Sequence, residues 1–196
     1  MKTFSVLLVL ALALPANAAA QQQPPAAPPA NPITTVFQGR TMALQRNLAQ
    51  AFDSIPERLF SYKPTPAQQT IGYIAQHLAT DNYLFCNAFG DMKAEQAVED
   101  TATADSVKAT WPKDRLMARL NASFAFCESA FAQLNDANLA DQVTLTFRGQ
   151  SRQVTRAGMV LGHVVDMADH YSQLANYMRL NNLIPPTALP RPPARP

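Results

Sequence analysis

Glycine, histidine, cysteine and tryptophan are all scarce in this 196-residue chain, at 6, 3, 2 and 1 copies. So few glycines, with little β-branched alternation, leave little material for the turns of an all-β fold and point to helices. An excess of one charge is also lacking. Sixteen basic residues face 14 acidic ones, which argues against an electrostatic nucleic-acid or anionic-membrane footprint. After the first twenty residues no stretch approaches the roughly eighteen apolar residues of a membrane span. No cysteine follows the N-terminal apolar run, which argues against a lipid-anchored precursor.

The N-terminal run itself reads as an export signal. Lys2 gives a one-charge start, residues 4–14 are almost uninterruptedly apolar, and Pro15-Ala-Asn-Ala-Ala-Ala20 supplies small residues of the A-x-A type. Residues 1–20 are therefore expected to be a signal peptide cleaved after Ala18 or Ala20, with an uncleaved anchor as the alternative. The mature protein is expected to be periplasmic or secreted, with no membrane association after cleavage. Proline marks the edges of the domain: 11 of the 16 prolines lie within 21–33 and 185–196. The first flank, 21–33, reads as a Pro/Gln-rich linker and 187–196 as a Pro-rich tail, both extended and solvated. That leaves 34–186, enough for one domain with a real hydrophobic core.

Inside the domain four segments carry helical periodicity. The first shows Phe37, Leu44, Leu48, Ala51, Ile55 and Leu59, with Pro56 interrupting its end. The second is expected to start near Thr65-Pro66 and run through Ile71, Ile74, His77, Leu78, Leu84 and Phe85 to Gly90. The third follows Trp111-Pro112 with Leu116, Leu120, Phe124, Cys127, Phe131 and Leu134, and Trp111 reads as its packing anchor. The fourth spans about 155–182, where Asn181-Asn182 supplies a left-handed cap and Pro185 forbids continuation. Residues 91–110 read as a long crossover with one short helix near 103–108. Gln142-Val-Thr-Leu-Thr-Phe-Arg148 alternates like a strand but has no evident partner, and is read as an extended loop. Four helices with one long connection predict an all-α, antiparallel four-helix bundle.

The few histidines are not scattered. His163 and His170 lie seven residues apart on the fourth helix, which at about 100° per residue returns the side chain to within roughly 20° of the same face. Asp166 falls between them, three residues after one and four before the other, so one stripe carries three potential metal ligands. His77 lies on the inward stripe of the second helix with Ile74, Asp81 and Leu84, and Asp81 is placed to accept its second ring N–H and fix the tautomer. Any one of these histidines alone reads as a satisfied helix residue. Together, His77, Asp166 and His170 form a two-His-one-carboxylate set for a divalent metal. His163, one turn out, would be a fourth ligand, a proton-transfer group or a rim residue. Gln173 and Tyr177 continue the stripe and either line the cavity or pack in the core; Arg179 suits the negative end of the helix dipole. Cys86 and Cys127 fit either one disulfide between the second and third helices or two separate buried thiols. Cys86, about 180° around the helix from His77, cannot share its ion.

Two segments carry a family resemblance. His170-Tyr-Ser-Gln-Leu-Ala-Asn-Tyr-Met-Arg-Leu-Asn-Asn-Leu-Ile-Pro-Pro186 resembles the C-terminal signature of the DinB-like (DinB/YfiT) superfamily, and Ile74-Ala-Gln-His77-Leu-Ala-Thr-Asp-Asn-Tyr-Leu-Phe-Cys86 resembles its second helix. The resemblance covers about 34–186. It implies a DinB/YfiT-type bundle whose divalent metal, zinc or nickel, is held by one histidine from the second helix and two from the fourth. His77 and His170 match these positions. Asp166 stands where the resemblance implies a histidine, and Ser172 where a glycine is usual. Characterised members include metal-dependent thiol transferases and a thiol-dependent isomerase. The expected function is thus a metal-dependent hydrolase or thiol S-transferase acting on a small molecule, with His163 for proton transfer. The alternative is a non-catalytic ligand-binding or envelope stress and interaction bundle with a degenerate metal site. A homodimer is compatible with either.

Overall fold

The computed structural model describes residues 30–147 and 149–190. The expected signal peptide (1–20), the 21–29 part of the linker and residues 191–196 of the tail lie outside the described residues. The chain forms α1 (Pro32–Ser54), α2 (Ile71–Gly90), two short helices α3 (Val98–Ala102) and α4 (Asp105–Lys108), and α5 (Lys113–Phe131). A hairpin of β1 (Gln142–Phe147) and β2 (Gln150–Thr155) precedes α6 (Arg156–Leu180). The architecture is predominantly helical. The long helices α1, α2, α5 and α6 carry it, with α2 packed on α5 and α6, and α1 on α6 and α5.

Each helix end has a local cause. α1 opens with proline in its first turn, but Asn31 makes no side-chain cap. Asp136 does the work from a distant turn, accepting hydrogen bonds from the Ile33 and Thr34 amides at 3.1 and 2.8 Å. α1 stops at Ser54, before Pro56, and a single 3-10 turn, Glu57–Leu59, follows. α2 begins at Ile71, later than expected. Its cap is Thr70, whose hydroxyl accepts the Tyr73 amide at 3.1 Å, and the Gly72 amide donates to the Phe60 carbonyl. The Thr65-Pro66 signal belongs instead to a separate turn closed by the Gln68 amide on the Thr65 carbonyl. α2 ends with Asp91 in the left-handed region, φ 51°. Arg156, the first residue of α6, donates to the buried Phe89 carbonyl near the end of α2 and pairs with Asp91 at 2.8 Å, so one helix start closes another helix end. α6 caps with Thr155 and is followed by Asn182 at φ 59°.

Two sequence expectations are corrected here. The crossover contains two short helices, not one, fastened by Arg119, which donates to the Gln76 carbonyl (2.8 Å) and Thr80 hydroxyl (3.0 Å) of α2 and faces Asp100. The segment expected to be an extended loop is β1, paired antiparallel with β2 in the register Val143 opposite Val154 and Leu145 opposite Arg152. Its partner lacks an apolar alternation because only β1 buries a face, through Val143 and Leu145, while β2 stays largely exposed. Polar cross-strand pairs hold it, Thr146 with Ser151 at 2.8 Å and Gln153 with Thr144 at 2.9 Å, and Gly149 provides the turn at φ 76°.

The core has two parts. The larger joins Leu48, Phe52, Ile74, Leu78, Leu120 and Leu174. The smaller surrounds Cys86 and Cys127 with Phe89, Phe131 and Val160. Cys86 and Cys127 stand at disulfide distance, Cα atoms 5.3 Å apart, and are joined across α2 and α5. Beside them α2 approaches α5 so closely that a Cβ on Gly90 would lie 2.6 Å from the Ala130 Cβ. Gly90→Ala is therefore expected to cost about 1–3 kcal/mol in urea denaturation. Gly39→Ala, where a Cβ meets nothing within 4 Å, should instead gain about 0.5–1 kcal/mol. Equal effects at both sites would show that the α2–α5 contact is looser than described.

Candidate metal centre

Packing α2 against α6 brings His77, Asp166 and His170 together: one ligand atom from each lies within 4.8 Å of the others. The rings of His77 and His170 meet edge to face with centroids 4.9 Å apart. His170 Nε2 lies 3.5 Å from Asp166 Oδ1, and His77 Nε2 lies 3.3 Å from Asp81 Oδ2. The three groups expected from sequence to converge do so, and Asp81 takes up the orienting position read for it.

Neighbouring hydrogen bonds set the imidazole tautomers. Gln173 donates through Nε2 to the Tyr177 hydroxyl at 3.0 Å, so its Oε1 is the acceptor facing His170 Nδ1 at 3.3 Å. His170 Nδ1–H therefore donates, so in the neutral imidazole the Nε2 lone pair faces Asp166, and protonation places there an N–H that Asp166 Oδ1 accepts. By the same logic Asp81 takes the His77 Nε2–H and leaves Nδ1 free. Gln173 lines the site as expected, whereas Tyr177 is a core residue behind it. Over His170 opens a polar cleft of about 530 Å³ lined by Gln69, Asp169, Ser172, Gln173 and Asn176. Tyr73 stacks on the other side of His77, centroids 5.7 Å apart, and its far side joins Phe60 and Trp111 in a groove of about 640 Å³.

The electrostatics are those of a site short of positive charge. Burial, then the nearby Asp166 charge, pushes the Asp81 carboxyl up to about 7, with His170 opposing. His77 is held below its ordinary value by burial and then by the His170 cation, against the pull of Asp166 and Asp105. Burial also works against charged His170, but its hydrogen bond and charge interaction with Asp166 outweigh this and raise its pKa. Asp166 Oδ2 is buried and has no hydrogen-bond partner among the described residues. A buried carboxylate oxygen without a donor is costly, and a cation held by two imidazoles and this carboxylate would satisfy it. The residues present fit a divalent ion.

His163 must be corrected. Expected on the cavity as a proton-transfer group, it is fully buried about 10 Å along α6, inside the smaller core. Its ring packs among Phe85, Phe89 and Phe131, and Nε2 meets Asn82 Oδ1 at 2.9 Å. Asn82 was missed from sequence; its only signal is its position four residues before Cys86, on the same inward face of α2.

The chain belongs to the DinB superfamily, whose family model matches residues 41–174. Solved structures of similar fold include a DinB-like protein from Bacillus cereus ATCC 10987, at 18% identity and TM-score 0.59, covering 76% of this chain and 93% of that one. A conserved protein from Enterococcus faecalis has 18% identity and TM-score 0.56, with 75% and 95% covered. A DinB-like protein from Bacillus subtilis has 18% identity and TM-score 0.51, with 75% and 92% covered. At such identity these likenesses speak for the fold alone. No curated protein matches the chain.

Burial holds the His163 pKa down to about 4, partly offset by Asp166. In the unfolded chain the same group titrates near 6.5. Between these values the unfolded state binds more protons, so the stability contributed by neutral His163 is complete above about pH 6.5 and lost as pH falls toward 4. With the disulfide intact, the wild type should lose up to about 3 kcal/mol more than His163→Phe across that window. Parallel stability-against-pH curves for the two proteins would overturn the assignment.

Proposed function

We propose that this protein is an exported DinB-like metalloprotein in which His77, Asp166 and His170 hold one divalent ion between α2 and α6. In this reading the four long helices form an antiparallel bundle closed by the α3–α4 crossover. The observations that carry it are the convergence of one ligand atom from each of the three residues and, on the same carboxylate, an Oδ2 without a hydrogen-bond partner among the described residues. The two imidazoles suit zinc or nickel. A bound ion of this kind supplies Lewis acidity that lowers the pKa of water or of a substrate thiol, the chemistry of a hydrolase or thiol S-transferase.

The remaining work falls to the chain. Asp81 and Gln173 orient the two imidazoles. The polar cleft above His170 receives the small-molecule substrate, and Gln69 borders both this cleft and the aromatic groove beside Tyr73. With His170 engaged on the ion, Asp81 beside His77 and Asp169 in the cleft are the carboxylates near enough to move protons; His163 has no such access. Export rests on residues 1–20. A second reading, a non-catalytic ligand-binding or envelope interaction protein, draws support from the internal pairs His77–Asp81 and Asp166–His170, by which the four side chains partly satisfy one another.

Protein purified without a histidine tag should carry about one divalent ion per chain by elemental analysis. His170→Ala should lose it, and Gln173→Ala should weaken binding about 10–100-fold. Turnover in a hydrolase and thiol-transfer screen, abolished by Asp166→Ala, would favour the enzyme. Metal retention without turnover would favour the binding protein, and an equal metal content in wild type and His170→Ala would overturn the site.

A further inference from the structure

A second set of ligating groups lies deeper in the same seam. Cys86, Cys127 and His163 are all fully buried and their ligand atoms lie within 4.8 Å of one another. His163 Nε2 is 3.8 Å from Cys86 Sγ and 3.7 Å from Cys127 Sγ. Asn82 Oδ1 lies 2.9 Å from the same nitrogen. The Asn82 orientation is fixed, because its amide nitrogen donates to Ser123 Oγ at 2.9 Å while that hydroxyl donates to the Leu120 carbonyl at 2.7 Å. With the disulfide formed, His163 Nε2–H donates to Asn82 and Nδ1 is left buried without a partner among the described residues.

We propose that reduction of the Cys86–Cys127 disulfide turns this cluster into a second divalent-cation site, with two thiolates, His163 Nε2 and Asn82 Oδ1 as ligands and zinc-like ions as the preferred guests. The proposal is independent of any ion at His77. Tetrahedral bonds of about 2.3 Å to sulfur and 2.0–2.1 Å to nitrogen set the sulfur–nitrogen edge near 3.6 Å, close to both distances already present. The sulfur–sulfur edge has to open to about 3.8 Å once the covalent bond is gone, and the Asn82 Oδ1–His163 Nε2 edge has to open from 2.9 Å to about 3.3 Å. A dithiol reductant supplies the two electrons and becomes a disulfide itself; the S–S bond breaks and each sulfur takes a proton. Cys127 Sγ then has the Asn82 carbonyl oxygen as an acceptor, 3.4 Å away. Cation entry releases both thiol protons to solvent, and the imidazole proton passes from Nε2 to Nδ1. Two thiolates and one divalent cation sum to zero charge, which is what a fully buried site can tolerate.

The test uses the full chain, reduced with a phosphine to avoid chelation by the reductant and checked by thiol titration. Cobalt(II) serves as the probe, equilibrated long enough for local opening to admit it. Reduced protein should take up about one more equivalent than oxidised protein. It should also show the thiolate-to-cobalt charge-transfer band and the strong visible bands of tetrahedral cobalt. Asp166→Ala should keep this signal, separating it from the centre at His77, and Cys127→Ser should lose it. His163→Gln should lose or blue-shift the visible bands. A fully reduced chain that stays helical by circular dichroism but gives no thiolate band would overturn the proposal. So would unfolding on reduction that cobalt does not reverse, or an equal signal in Cys127→Ser.

Discussion

The packing of α2 against α6 obliges polar side chains from both helices to share one seam, and each must find its partner there or go without. His77, Asp81, Asn82 and Cys86 come from α2; His163, Asp166, His170 and Gln173 come from α6. Apolar residues around them, Leu78, Met167 and Leu174 among others, exclude the water that would otherwise satisfy these groups. The crossover, the hairpin and the caps all serve to hold this seam. Arg119 ties α5 to the side of α2 that bears His77, and Arg156 ties the start of α6 to the end of α2 that bears Cys86.

The seam has two ends of different character. At the His77 end the groups are partly exposed beneath an open polar cleft, so protons, ions and small molecules have access. At the His163 end everything is sealed, and burial rather than charge sets the imidazole pKa. One helix thus presents two histidines on one stripe in two dielectric settings. The exposed end suits chemistry that exchanges with solvent, while the buried end responds only to events that reach the core, such as breaking the bond between α2 and α5.

The main features of this arrangement were legible in the sequence, and the failures have physical reasons. A 3.6-residue period places His163, Asp166 and His170 on one stripe and His77 on an inward face, and the family resemblance pairs the two helices. A stripe does not say where along its length the cavity opens, so His163 was read as a site residue when it belongs to the core. The strand pattern of residues 142–148 was visible, but its partner β2 is polar and exposed and therefore carries no alternation. The start of α2 differs from the sequence expectation because Thr65-Pro66 is an intrinsically good signal, whereas long-range contacts, the Ile71 amide on the Tyr62 carbonyl and the Gly72 amide on the Phe60 carbonyl, move the boundary to Thr70. Asn82 has no signature beyond its place one turn before Cys86 on the inward face of α2; its role comes from meeting a histidine 81 residues away.

Asp166, where the resemblance implies a histidine, changes the charge of the centre more than its shape. With a divalent ion, three neutral imidazoles would leave the full +2, whereas two imidazoles and one carboxylate leave +1. Asp81 lies behind His77 and, ionised, would bring the local sum to zero. An anionic ligand donates more charge to the ion than imidazole does, so bound water or thiol would be acidified less than in an all-histidine site. The same change favours harder, more oxygen-tolerant ions. Asp166→His would therefore sharpen acidification but remove the negative charge that now raises the pKa of His170 and, by repulsion, of Asp81. Both effects trace to one side chain whose second oxygen has no hydrogen-bond partner among the described residues, so in the proposed centre Asp166 would be the residue that sets ion preference and reactivity.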